Sequence, residues 1–94
     1  MDRITMKIVT PQKVLYDIHC DSVHIMVYDD KNGKGGGSYG IRAGQINTVY
    51  AICKGPIYAY HEGKIIFSCE STGGFATFEN NVLTVITENY TETK

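Results

Sequence analysis

The chain has 94 residues, a net charge of -1, 43% hydrophobic residues and no tryptophan. That is enough for one domain burying over ~60% of the surface its unfolded chain would expose, so no metal or disulfide staple is required. The basic residues are scattered rather than striped, which argues against a nucleic-acid partner, and Cys20, Cys53 and Cys69, odd in number and at unrelated spacings, suit a reducing compartment rather than a disulfide framework. There is no basic-then-apolar leader and no apolar run approaching ~18 residues, so neither a signal peptide nor direct membrane insertion is expected. The expected location is the cytosol, with a place on a membrane complex still open.

Taken in chain order, the periodicities are those of strands. Met6 to Thr10 reads as a strand stopped by Pro11, and Val14 to Tyr16 as a short one after it. Val23, Ile25 and Val27 alternate with Ser22, His24, Met26 and Tyr28, the period-2 signature of a strand with one face inward. "DDKNGKGGGSYG", Asp29 to Gly40, is glycine-rich and polar and reads as an exposed, mobile loop. Ile57 to Tyr60 follows Gly55-Pro56, and His61-Glu62-Gly63-Lys64 turns it into Ile65, Phe67 and Cys69. Asn80-Asn81 joins Phe75–Glu79 to Val82–Glu88 as a hairpin, because two-residue loops need left-handed backbone angles that Asn accepts. No stretch of ten or more residues carries helical apolar spacing uninterrupted by Gly or Pro. Short strands at about eight- to twelve-residue spacing predict an all-β fold, a flattened sandwich or barrel of many antiparallel strands, spanning 1–94 as a single domain.

Chemistry-bearing motifs are few. Gly35, Gly37 and Gly40 match G-x-G-x-x-G, but no amphipathic helix or βαβ unit follows to present pyrophosphate to a helix N-terminus, so a flexible connection is the expected reading. His19, Cys20 and His24 lie close in sequence. On one strand, however, Cys20 and His24 would share a face and His19 would take the other, and no C-x-x-C pair completes a closed zinc site. The carboxylates, Asp17, Asp21, Asp29, Asp30, Glu62, Glu70 and Glu79, fall mostly beside turn residues, and no nucleophile, base and orienting group stand out together. Neither a cofactor nor an active site is expected. Asn89-Tyr90-Thr91 matches the glycosylation sequon by chance if the chain is not exported.

From "MKIVTPQKVLYD" through "CDSVHIMV", "GSYGIRAGQINTVYAICKGPIYAY" and "STGGFATFENNVLTVITENY", the chain resembles the N-terminal β-sandwich of the epsilon subunit of F-type ATP synthases. Gly40-Ile41, Gly44, Gly55, Gly73-Gly74-Phe75 and Asn81 to Ile86 follow the order of that family's pattern. Where the family has Pro-Gly-His-Ala-Pro, this chain has Ala43-Gly44-Gln45-Ile46-Asn47, and the loop before Gly40 is longer. The chain stops at Lys94, so the resemblance implies a short form without the two C-terminal helices that carry the hydrolysis brake in many members.

The resemblance also implies a non-catalytic rotor subunit at the foot of the central stalk, bound to the gamma subunit and resting on the c-ring. Its expected place is peripheral, on the cytoplasmic face of the inner (plasma) membrane. Thr10, Gln45 and Tyr50 are the implied gamma contacts, and Gly36, Gly37, Ser38 and Arg42 the implied c-ring contacts. Within a sandwich, Phe75 is expected to drive its ring into the core while Gly73-Gly74 allow the backbone before it to bend at the sheet edge. The reading from another class is a ligand-binding sandwich with Tyr39, Tyr50, Tyr58 and Tyr60 as a stacking platform.

Overall fold

A computed structural model describes residues 3–29 and 34–92. The described residues form ten strands: β1 (Ile4–Val9), β2 (Val14–Cys20), β3 (Ser22–Asp29), β4 (Lys34–Arg42), β5 (Thr48–Ile52), β6 (Gly55–His61), β7 (Lys64–Ser71), β8 (Gly74–Glu79), β9 (Val82–Thr87) and β10 (Tyr90–Glu92). They make one curled sheet folded into two layers, the all-β sandwich expected. The first layer runs β2-β1-β9-β8-β5 and the second β10-β7-β6-β3-β4. The layers join where the end of β3 leaves β6 and meets β5, through Val27 opposite Ile52 and a 2.9 Å bond from the Cys53 amide to the Met26 carbonyl. All pairings are antiparallel except β1 with β9.

The alternation read from sequence sets the core. Ile4, Met6 and Ile8 of β1, Leu83 and Val85 of β9, and Ala76 and Phe78 of β8 face Val23 and Ile25 of β3, Ile57 and Ala59 of β6, and Cys69 of β7, all buried in one cluster. The shortest dimension, 22 Å, fits two layers about 10 Å apart with their outer side chains. Asn80 and Asn81 have φ of 51° and 63°, the left-handed pair that a tight hairpin turn demands. Glu62 and Gly63 repeat the device between β6 and β7, with φ of 51° and 78°.

Three expectations need correction. The glycine-rich segment is not a loop from Asp29 to Gly40: Lys34–Arg42 is strand β4, paired along β3, and residues 30–33 lie outside the described residues. Met26 opposes Ser38 while Tyr28 opposes Gly35, so Gly36 and Gly37 occupy a bulge with Val27 across from it. Glycine suits a backbone that must bend within a ladder. Second, Phe75 is 58% exposed, and the pleat that buries Ala76 and Phe78 turns its ring outward. Third, Cys20 and His24 do not share a face. Asp21 is a corner at which the chain passes from the first layer to the second, leaving Cys20 in the core and His24 on the outer side.

The glycine pair before Phe75 nevertheless answers to close approach. Gly73 and Gly74 have φ of +99° and +144°. A Cβ on Gly73 would sit 3.1 Å from the Ile52 carbonyl oxygen and 3.2 Å from the Lys54 amide, where β5 turns into β6. One on Gly74 would sit 2.2 Å from the Ile86 carbonyl oxygen.

Candidate functional site

The outer face of the first layer carries the most conspicuous feature. Register places Val14 opposite Val9, Val9 beside Ile86, Ile86 opposite Phe75, and Phe75 opposite Ala51. Partners in register project to the same face, so these five residues form one apolar row across five strands, about 19 Å long at ~4.8 Å per strand. They are not core: Val14 is 43% exposed and Ile86 46%, beside Phe75. A recess of about 400 Å³ borders the row, walled by Val9, Thr10, Pro11, Gly73, Gly74 and Ile86. One step along the strands come Lys7, Thr84, Thr77 and Val49, the last 68% exposed. Thr5, Val82 and Glu79 follow, with His19 Nδ1 3.3 Å from Thr5 Oγ1. The face therefore grades from apolar to polar along its strands.

The sequence-derived site residues occupy different parts of this frame. Thr10 follows β1 next to the apolar row but is mostly buried, its hydroxyl donating to the Lys13 carbonyl and accepting from the Lys13 amide, each at 3.1 Å. Gln45 lies beyond the opposite end of the layer, where its Oε1 accepts from the Arg42 amide. Tyr50 pairs with Ala76, so its ring packs inward on the core against Tyr39, with centroids 5.3 Å apart. Burial, then the neighbouring Tyr39, raises the Tyr50 phenol above its ordinary pKa. Gly36, Gly37, Ser38 and Arg42 share β4, with Arg42 opposite Ser22 and Ser38 opposite Met26, and Arg42 stands about 20 Å from Gly36 at ~3.3 Å per residue.

The tyrosines do not make one platform. Tyr39 and Tyr50 meet between the layers, whereas Tyr58 and Tyr60 stand on the outer face of the second layer, 6.4 Å apart edge to face. His24 is tilted against Tyr60 at 4.8 Å. Among the described residues no group of three His, Cys, Asp or Glu side chains is placed to hold a metal ion. Burial, reinforced by nearby carboxylates, pushes the Cys20 and Cys69 thiols up to about 11, so both stay protonated and unreactive near neutrality.

Asp21 has a clear structural task. Its Oδ2 accepts from the Glu62 amide at 2.7 Å, its Oδ1 lies 3.2 Å from His61 Nδ1, and its own amide donates to the Tyr60 carbonyl at 2.7 Å. It thus ties the interlayer corner to the β6–β7 turn. The Glu62 amide first, then His61 and Arg3, hold its carboxyl below the usual 3.8, against a desolvation effect of opposite sign. A depressed folded pKa adds stability that is complete above the unfolded value and vanishes as pH falls through the folded one. Asp21→Asn should therefore lower stability above ~pH 5 and approach wild type in more acid solution, measured by urea denaturation across pH. A gap that stays constant down to pH 2 would refute this role.

Compared with known proteins, residues 3–93 match the family model described as the β-sandwich domain of the ATP synthase delta/epsilon chain. A chain of the Euglena gracilis mitochondrial ATP synthase, in its OSCP/F1/c-ring structure, superposes with a TM-score of 0.74 at 20% identity, covering 96% of this chain and 53% of that one. A chain of the Tetrahymena thermophila mitochondrial ATP synthase central stalk and c-ring gives 0.67 at 14% identity, covering 95% and 66%. These likenesses establish the fold, and the present chain spans about half to two-thirds of those chains. A comparison with curated proteins returns no match.

Proposed function

We propose that this chain, which belongs to the β-sandwich family of the ATP synthase delta/epsilon chains, is a non-catalytic rotor subunit of an F-type ATP synthase, linking the gamma subunit to the c-ring. The observation that carries this reading is the apolar row Val14–Val9–Ile86–Phe75–Ala51. An exposed band crossing a whole sheet marks an interaction surface on a soluble domain, and here it offers gamma a flat, rigid face. Thr10 and Gln45 border the first layer at its two ends, and Tyr50 supports β5 from behind.

The c-ring side is proposed to be β4, with Gly36, Gly37 and Ser38 in its first half and Arg42 at its end. A coupler that transmits torque needs resistance to shear rather than an active site. Two close-packed layers supply it, because bending them disturbs core packing and ladder hydrogen bonds together. The subunit is then peripheral, held to the membrane complex through its partners, and the cytoplasmic face is its proposed side. Mixing the tagged chain with the gamma subunit of the same source on a sizing column should yield a stable one-to-one complex. Separate elution of two folded proteins would overturn the proposal.

A further inference from the structure

On the outer face of the second layer, one row of residues has a short side chain at its centre. Arg42 of β4 is opposite Ser22 of β3, and Ser22 is opposite Tyr60 of β6. A serine flanked by two long side chains, on strands about 10 Å apart at ~4.8 Å per strand, leaves a depression above it. The next row along the strands is Gly40, His24 and Tyr58, and Gly40 carries no side chain to fill the space beside the imidazole. Beyond Ser22 the depression ends at the Asp21 corner and the β6–β7 turn. The result is a recess of about 390 Å³ walled by Asp21, Ser22, His24, Arg42, Tyr60 and Gly63, within the size range of small-molecule sites.

The walls carry opposite charges that do not meet. Among the described residues no ion pair joins Arg42 to Asp21, whose ionic contact is His61, and the cations acting on that carboxyl are His61 and Arg3. Asp21 is fixed by the Glu62 amide on Oδ2 and by His61 beside Oδ1. An ionised carboxylate has about four acceptor positions, so both oxygens retain capacity toward the recess. The Gln45 bond uses the Arg42 amide alone, and the exposed guanidinium keeps its fork of donors, the geometry that matches a carboxylate. Tyr60 and His24, tilted together with centroids 4.8 Å apart, add aromatic surface between the two charges. An anion alone is opposed by Asp21 and a cation alone by Arg42, whereas a molecule carrying both charges complements the recess.

We propose that this recess binds a small zwitterion of the amino-acid class, its carboxylate on Arg42, its ammonium on Asp21 and its side chain against Tyr60 and His24. The site lies on the second layer, so the inference does not depend on the apolar row of the first. An open site with two charged contacts suits a Kd of about 1 mM, as expected of a sensor of a plentiful metabolite rather than of a tightly held cofactor.

The test is an amide chemical-shift titration of the isotope-labelled full chain with phenylalanine, with phenethylamine, which lacks the carboxylate, and with hydrocinnamate, which lacks the ammonium. Phenylalanine should shift the Ser22, His24 and Gly63 amides saturably, and each single-charge analogue should bind at least ~10-fold more weakly. Arg42→Gln should weaken phenylalanine at least ~10-fold without weakening phenethylamine, a pattern that unfolding would not produce. Its melting temperature should stay within ~2 °C of wild type, since the Arg42 amide bond to Gln45 is retained. Equal binding of the three ligands would reduce the recess to an aromatic surface without charge recognition, and the absence of a saturable shift up to ~20 mM phenylalanine would remove the site altogether. Either result overturns the proposal.

Discussion

Gly74→Ala should lose most of the domain's stability, by roughly 3–5 kcal/mol when the strain of a glycine-only backbone conformation is combined with disruption of the neighbouring ladder. Two causes act together. At φ +144° an L-residue is strained whatever the space around it, and the new methyl carbon would lie 2.2 Å from the Ile86 carbonyl oxygen. That oxygen belongs to β9 backbone and cannot swing aside as a side-chain tip would. Relief requires the β8–β9 pair to part at Gly74 and Thr87, next to the Thr87 hydroxyl that donates to the Gly73 carbonyl at 2.7 Å. Gly37→Ala is the control: nothing lies within 4 Å of its would-be Cβ, so its effect should stay within ~1 kcal/mol. Urea denaturation of both variants decides it, and a Gly74→Ala protein within ~1 kcal/mol of wild type would mean that the corner is soft.

The same glycine pair shows how far residues alone lead. An unusual backbone before Phe75 is legible from two glycines at a strand start, and the Asn80-Asn81 turn from its two asparagines. Strand β3 was legible because Val23 and Ile25 point in while Ser22 and His24 do not. Strand β4 is hidden in the sequence for a physical reason: glycines carry no side chains, so "KGGGSYGIR" has no period-2 signal although its backbone pairs along β3. Strand β5 is hidden for the opposite reason. In "TVYAI", Val49 and Ala51 on the outer face are as apolar as Ile52 within, so alternation disappears.

An antiparallel strand that faces water on one side should alternate. Its failure to do so in β5, and in the Val85-Ile86 pair of β9, is the signal in the sequence that points to the exposed apolar row. What could not be read was the row itself. It is assembled from five strands drawn from opposite ends of the chain, brought into line by a parallel β1–β9 pairing that no local pattern announces.

Phe75→Asp should abolish co-elution with gamma while leaving the domain folded. Phe75 lies between Ile86 and Ala51 in the apolar row, so a bound partner would cover it. In the free chain an aspartate there remains hydrated, and folding loses only cross-strand contacts of about 0.2–1 kcal/mol each. In the complex the same carboxylate would be desolvated without a partner, at a cost of about 2–5 kcal/mol or more, which raises the Kd roughly 30-fold to several thousandfold. Phe75→Leu keeps an apolar side chain and should bind within ~10-fold of wild type. Ile66→Asp, on exposed β7 of the second layer, adds the same charge away from the row and should leave binding unchanged. Binding lost equally in Phe75→Asp and Ile66→Asp would point to net charge rather than to a docking face. Undiminished co-elution of Phe75→Asp would mean that gamma meets another side of the sandwich, and the apolar row would then need a different occupant.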